Sequence, residues 1–178
     1  MNVDYAMVIS TNAGLWGYNL GDTVRFVSLN PFKIVVSGRI KHFISAFGEH
    51  VIAKEVEEAL QQAVERTDAL VNEFTVAPQT NPKEGELPYH EWFIEFEKVP
   101  SDWNTFAETI EESMKKQNSY YLDLIDGNIL QPLKICSIKP NGFQDYMKSI
   151  GTLGGQNKVQ RLANDRKVAN GLQPFKIS

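Results

Sequence analysis

Polar and apolar positions along this chain change rhythm twice. Over the first forty residues, the runs YAMVIS, TVRFVSL and FKIVVSG are separated by AGLWGYNLGD and by Asn30-Pro31. β-Branched and aromatic runs with Gly, Asn and Pro punctuation predict a meander of antiparallel strands. Such a sheet is too small to hold a core alone and is expected to lean on another unit. After His50 a helical period takes over. Ile52, Val56, Ala59, Leu60, Ala63 and Val64 fall on one side of VIAKEVEEALQQAVER, with Lys54, Glu57, Glu58, Gln61 and Glu65 on the other. That is an amphipathic helix.

Two strand patterns follow, ALVNEFTVA and YHEWFIEFEKV, joined by the proline-bounded polar loop PQTNPKEGELP, which predicts a hairpin. In the second strand Trp92, Ile94 and Phe96 alternate with Phe93, Glu95 and Glu97, the pattern of a half-buried strand. Ser101 or Asp102 is placed to cap a helix with Trp103, Phe106, Ala107, Ile110 and Met114 on one face. A short helix at YYLDLI leads to the turn Asp126-Gly127-Asn128. PLKICSI reads as a buried strand, and GFQDYMKSI as a helix turning Phe143, Tyr146, Met147 and Ile150 inward. The predicted class is α+β: a small mixed or antiparallel sheet covered by helices, preceded by a short β-meander.

Composition narrows the function classes. The chain has 178 residues, 42% of them apolar, enough for one domain with a core and an appendage. Its net charge of −4 lacks the basic excess of a nucleic-acid binder. No apolar run approaches the ~20 residues that cross a bilayer, and MNVDYAMVIS has no secretion-signal pattern, so no membrane partner is expected. The single cysteine, Cys136, lies in an apolar run and suits a core position in a reducing cytoplasm. His42, His50 and His90 have no ligand spacing, and no metal site is expected.

Three stretches carry candidate chemistry. In GTLGGQNKVQRLANDRK, glycines and amides surround Lys158; Asn157 and Val159 beside it exclude a Walker phosphate loop. The lysine is either a solvated loop cation or a mobile point charge reaching a carboxylate or phosphate. In GYNLGD, Asp22 is either a turn residue between strands or a carboxylate placed to accept hydrogen bonds from ribose hydroxyls. In SGRIKHFISAFGEHV, Arg39, Lys41 and His42 precede Gly48-Glu49-His50; this is a charged strand edge or a connector between domains.

The order of these stretches carries more than any one of them. Tyr-x-x-Gly-Asp, then Gly-Arg-x-Lys, then a glycine-led loop and an amphipathic helix, and finally Gln-x-Lys-x-x-Arg resemble the adenylate-forming superfamily. Within it, GRIKHFISAFGEHVIAKEVEEAL and GGQNKVQRLANDRKVANGL are similar to the acyl-acid amido synthetases, the auxin-responsive plant hormone-conjugating enzymes and their bacterial relatives. The resemblance covers the C-terminal third of such an enzyme. It implies that residues 1–40 are terminal strands of an ATP-binding domain and that 41–178 form a mobile lid. It implies a catalytic Lys158, a nucleotide site at Asp22, Tyr18, Arg25 and Arg39, a hinge at Lys41, and a second-half-reaction loop at Gly48. ATP, a carboxylic acid and an amine or amino acid are the implied partners, with Mg²⁺ held mainly outside this chain. Two departures stand out: Asn19 replaces the arginine usual after the tyrosine, and Asn157 and Gln160 replace a tyrosine and a proline.

The implied activity is ATP-dependent carboxylate–amine ligation, with this portion inactive alone. Two alternatives stay open. One is a non-catalytic, free-standing lid-like module that binds a partner, its exposed leading strands able to pair with a second copy. The other is the lid of an acyl-CoA ligase.

Overall fold

The computed structural model describes residues 3–39, 43–152 and 158–177, the side chains of Asn19 and Arg39 excepted. The chain begins with β1 (Asp4–Ile9), β2 (Tyr18–Leu29) and β3 (Phe32–Arg39), an antiparallel meander in that order. The cis peptide Asn30–Pro31 lies in the β2–β3 turn. Tyr18–Asp22, taken above as part of a turn, instead opens β2: Tyr18 pairs with Ile9, Asn19 with Val8, and Asp22 with Arg39. The reversal is finished earlier. Thr11 N–H bonds Leu15 O at 2.8 Å, and Gly14 and Gly17 take the positive φ values that the bend requires. The sheet holds little core of its own, as expected. Val24 is buried, whereas Trp16 is 91% exposed, Phe32 76% and Val36 70%.

A two-stranded hairpin follows, β4 (Phe43–Ile44) with β5 (Val51–Ile52), then α1 (Ala53–Thr67). Glu55 reaches back to the Ile52 N–H at 3.0 Å and fixes the start of α1. Asp68 ends it in the left-handed region. Strands β6 (Leu70–Gln79) and β7 (Tyr89–Lys98) form the expected hairpin. The cap of α2 (Trp103–Gln117) is Asp102, whose carboxylate accepts the Thr105 N–H at 2.8 Å; Ser101 instead donates to Thr67 O. Asn118 caps α3 (Ser119–Asp126) in the same way.

Strand β8 (Lys134–Ile138) pairs with β7 in parallel, so of the mixed or antiparallel sheet expected, the mixed form is found, in the order β6-β7-β8. Parallel pairing needs a crossover, and α2 with α3 supplies it. The chain closes with α4 (Gly142–Ser149), α5 (Lys167–Leu172) and a 3₁₀ turn at Gln173–Phe175.

Strand β7 departs from the half-buried pattern, since Tyr89 through Phe96 are all buried. Trp92, Ile94 and Phe96 pack with Val56, Leu60, Phe106 and Ile110 under α1 and α2. On the opposite face Phe93 packs with Ile138, Phe143, Ala169 and Leu172 under α4 and α5. Burying each such side chain contributes about 1.5–3 kcal/mol, so helices on both faces outweigh the cost of covering the acidic positions between them. Two inward expectations fail. Ile150 is 50% exposed because α4 has already ended, and Trp103, at the first turn of α2, lays only its ring edge on Phe96 at 5.3 Å.

Gly171 illustrates how tightly α5 sits. A Cβ there would meet Tyr146 Cε2 at 2.3 Å. Gly→Ala within a helix normally stabilises by up to about 1 kcal/mol. Here the overlap reverses the sign: Gly171→Ala is expected to destabilise by about 1–3 kcal/mol in urea denaturation.

Candidate functional site

The hairpin β4–β5 carries Gly48 on a tight loop. Gly48 is exposed with φ 93°, and His50 also takes a positive φ of 52°. The loop is secured by its neighbour, Glu49, which is fully buried. Glu49 Oε2 accepts the Phe47 N–H at 2.8 Å, and Oε1 lies 2.8 Å from Nε2 of the buried His90 on β7. Burial alone would raise the Glu49 carboxyl. Bonding to His90 and to the loop amides outweighs that and holds it below its ordinary value. At the base of the hairpin, Asn164 accepts the Ser45 N–H at 2.8 Å and donates to Phe43 O at 3.1 Å. The His50 ring stacks on Phe43 at 4.7 Å.

Asn164 belongs to the segment that also carries Lys158. That segment is attached to β6 along its edge. Val76 N–H bonds Arg161 O at 2.9 Å, Thr75 Oγ1 donates to Gln160 O at 2.7 Å, and Leu162 bridges Val76 in parallel. Arg161 adds ion pairs to Glu57 at 2.8 Å and Glu73 at 3.6 Å, with its guanidinium over the Phe74 ring. Lys158, two residues before Gln160, is exposed. It borders a shallow hollow of roughly 230 Å³ lined by Tyr146, Met147, Ile150, Thr152, Gln160 and Val168. Of the glycines that precede it, Gly151 takes a positive φ of 69°, and Gly154 and Gly155 lie outside the described residues.

The other expected site residues sit on the leading sheet. Tyr18 and Asp22 begin β2, with Tyr18 about half exposed, and Arg39 lies in register across from Asp22. The structure therefore brings Asp22 and Arg39 together along the backbone; the Arg39 side chain lies outside the described residues. Arg25 is engaged elsewhere. Its guanidinium grips Asp4 in a two-pronged bond, Nε at 2.9 Å and Nη2 at 2.8 Å. Lys41, the expected hinge, also lies outside the described residues. The hollow beside Lys158 is lined wholly from α4 and the C-terminal segment, apart from β1–β3.

Two buried clusters were not foreseen. The first is Glu49 with His90. The second centres on Glu91, which takes Arg166 Nη2 at 2.5 Å, the Cys136 thiol at 3.0 Å and Lys176 at 3.5 Å. Burial first, then Glu91, pushes the Cys136 thiol up to about 11, so it is a core donor rather than a nucleophile. Burial would also raise Glu91, but Cys136 and Arg166 overcome this and lower it. Carboxylates at Glu91 and Glu95 in an otherwise apolar strand, with Arg166 far along the chain, were the available signal. Among the described residues, no three His, Cys, Asp or Glu side chains converge as metal ligands would, and no helix is long and apolar enough to cross a membrane.

Residues 54–167, more than half of the chain, match the GH3 family C-terminal domain. The chain belongs to the GH3 family. Residues 1–39 match the GH3 family central domain. The GH3 chain also superposes on the solved structure of "GH3.15 acyl acid amido synthetase" with a TM-score of 0.76 at 22% identity, covering 98% of this chain and 34% of that one. A second structure, "AtGH3.15 acyl acid amido synthetase in complex with 2,4-DB", gives 0.74 at 21% identity, covering 98% and 33%. The chain thus spans about a third of the length of these structures. No curated protein matches it by sequence.

The Glu91 cluster makes a pH-dependent contribution to this GH3 fold. Its carboxyl is depressed below 4.5, so its stabilisation is complete above that value and is lost as pH falls through the folded-state value. Glu91→Gln is expected to lower stability near neutrality by about 1–3 kcal/mol, since Arg166 loses its charged acceptor. The difference between variant and parent should shrink below pH 4.5 in urea titrations.

Proposed function

We propose that this GH3 chain is the C-terminal part of an ATP-dependent acyl acid amido synthetase, with Lys158 as the catalytic cation of its adenylation step. The carboxylate oxygen of the acid attacks the α-phosphate of ATP; the α–β phosphoanhydride breaks and pyrophosphate leaves. An amine then attacks the acyl carbon, forming the amide, with AMP leaving and one proton released from nitrogen. The single observation that carries the reading is the placement of Lys158. It is an exposed cation directly ahead of a segment bound to β6 and ion-paired through Arg161, within the region matching the family's C-terminal domain.

The physical demand on that lysine is plain. Two negative charges about 4 Å apart repel by about 4 kcal/mol at an effective dielectric of 20. A cation held between acid and α-phosphate offsets that repulsion as the bond forms. A residue standing on an anchored segment loses less orientational freedom than a free loop lysine when it is delivered there. Asp22 would accept hydrogen bonds from the ribose hydroxyls, with Tyr18 beside the nucleotide. Of the two arginines, Arg39 opposite Asp22 is better placed for the ribose than Arg25, whose fork already holds Asp4. The proposed domain boundary follows Arg39–Ile40, with Lys41 as hinge. The Gly48 loop serves the transfer step. Mg²⁺ would be held mainly outside this chain, where it would neutralise charge on the ATP phosphates.

In the complete enzyme, Lys158→Ala is expected to slow carboxylate-dependent pyrophosphate exchange by about 10²–10³-fold. Unchanged exchange would remove the lysine from this role. The 178-residue chain alone is expected to show no exchange. A second reading rests on the exposed apolar sheet: Trp16, Phe32 and Val36 suit pairing with another copy. Sedimentation of the isolated chain, with Trp16→Ser and Phe32→Ser, tests it; a monomer at every concentration rejects it. An acceptor screen with amines against thiols separates amide synthesis from thioester synthesis.

A further inference from the structure

Among the described residues, the most deeply buried acid–base contact lies beside the loop assigned to amide transfer. Glu49 and His90 are 0% and 1% exposed, yet they join residues forty-one apart in sequence through one 2.8 Å bond. A buried carboxylate is costly unless fully bonded. Packing alone would be served as well by an apolar pair at this place. This carboxylate instead divides its two oxygens, one to the Phe47 amide inside the loop and one to β7. Its direct sequence neighbour is Gly48, whose φ of 93° and open surroundings give that residue no contact of its own, while Phe47 packs on the core and His50 Nδ1 lies 3.3 Å from Ser45 Oγ. Ser45 and Phe43 are held from the other end by Asn164. The tip has Glu49 where the base has Asn164.

We propose that Glu49 is a positioning residue for amide transfer, its carboxylate fastening the Gly48 turn to β7 through His90. The proposal rests on the reading of the chain as part of an amido synthetase. It adds that the turn is presented ready-formed, rather than ordered only when the acyl-adenylate arrives. Its orientation then belongs to the rigid core of the domain. Asn164 ties the same hairpin to the segment bearing Lys158, so the two loops keep a fixed relation while the domain moves.

The test uses the complete enzyme for the two half-reactions and the 178-residue chain for backbone hydrogen exchange. Glu49→Gln leaves one carbonyl oxygen where two acceptors stood. It is expected to raise amide exchange at residues 45–50 about tenfold or more, and to slow single-turnover amide formation from preformed acyl-adenylate by about the same factor. Carboxylate-dependent pyrophosphate exchange should stay within about twofold. His90→Phe, which fills the volume without donating, should act alike and covers the case in which Glu49→Gln does not fold. His90→Gln, which restores an N–H donor, should recover most of the transfer rate. Equal loss in both half-reactions, or unchanged protection at residues 45–50, overturns the proposal. Failure of the underlying reading shows differently: Lys158→Ala would leave pyrophosphate exchange intact, while the change in protection on Glu49→Gln would remain.

Discussion

Strand β7 is enclosed on both faces, and the rest of the domain depends on that enclosure. Its even positions, Trp92, Ile94 and Phe96, enter the core beneath α1 and α2, while Phe93 enters the one beneath α4 and α5. A strand covered on both sides has no solvent face on which to leave an imidazole or a carboxylate, so His90, Glu91 and Glu95 each find a partner, although the buried Trp92 indole N–H does not. Those partners are the peripheral elements. His90 meets Glu49 of the hairpin, Glu91 meets Arg166 ahead of α5, and Glu95 accepts the Asn141 and Phe143 N–H groups at the start of α4. Polar residues on this strand thus set where the mobile-looking parts of the sequence stand.

The same logic explains what could be read from the chain and what could not. Helix α1 was evident because its apolar positions repeat every three to four residues, whereas the cap supplied by Glu55 emerged only in the structure. The helix at Trp103–Gln117 was evident through Asp102. β7 was mistaken for a half-buried strand because Glu91, Glu95 and Glu97 have the same local appearance, though only Glu97 is exposed. What distinguishes them are Arg166, Lys176 and the amides of α4, contacts 46 to 85 residues away that no local period encodes. Tyr18–Asp22 was misplaced for a related reason: Gly21-Asp22 looks like a turn, but Gly14 and Gly17 had already made it.

The candidate site shows a similar division. Lys158, Asp22 and Gly48 were each noticeable as residues, from glycine-rich surroundings and from the order of motifs. Their supports were not. Glu49 and His90 carry no spacing that announces a bond, and Asn164 is one asparagine among several. Arg25 looked equivalent to Arg39 until its bond to Asp4 separated them. Chemistry-bearing side chains stand out by type, whereas those that orient them are defined only by the completed tertiary structure.

The C-terminal segment has a role in the sheet that bears on how the chain is made. Leu162 lines the outer edge of β6, and Lys176 and Ile177 bond Ile138 and Ser137 at the outer edge of β8. Both margins are therefore closed by residues synthesised after the strands they cover. During translation β6, β7 and β8 can assemble beneath α1 and α2 while their flanks still offer unpaired amides, an invitation to wrong neighbours. Those flanks stay uncovered until residues 162 and 176–177 have left the ribosome, so a nascent chain stalled before residue 160 would expose both edges.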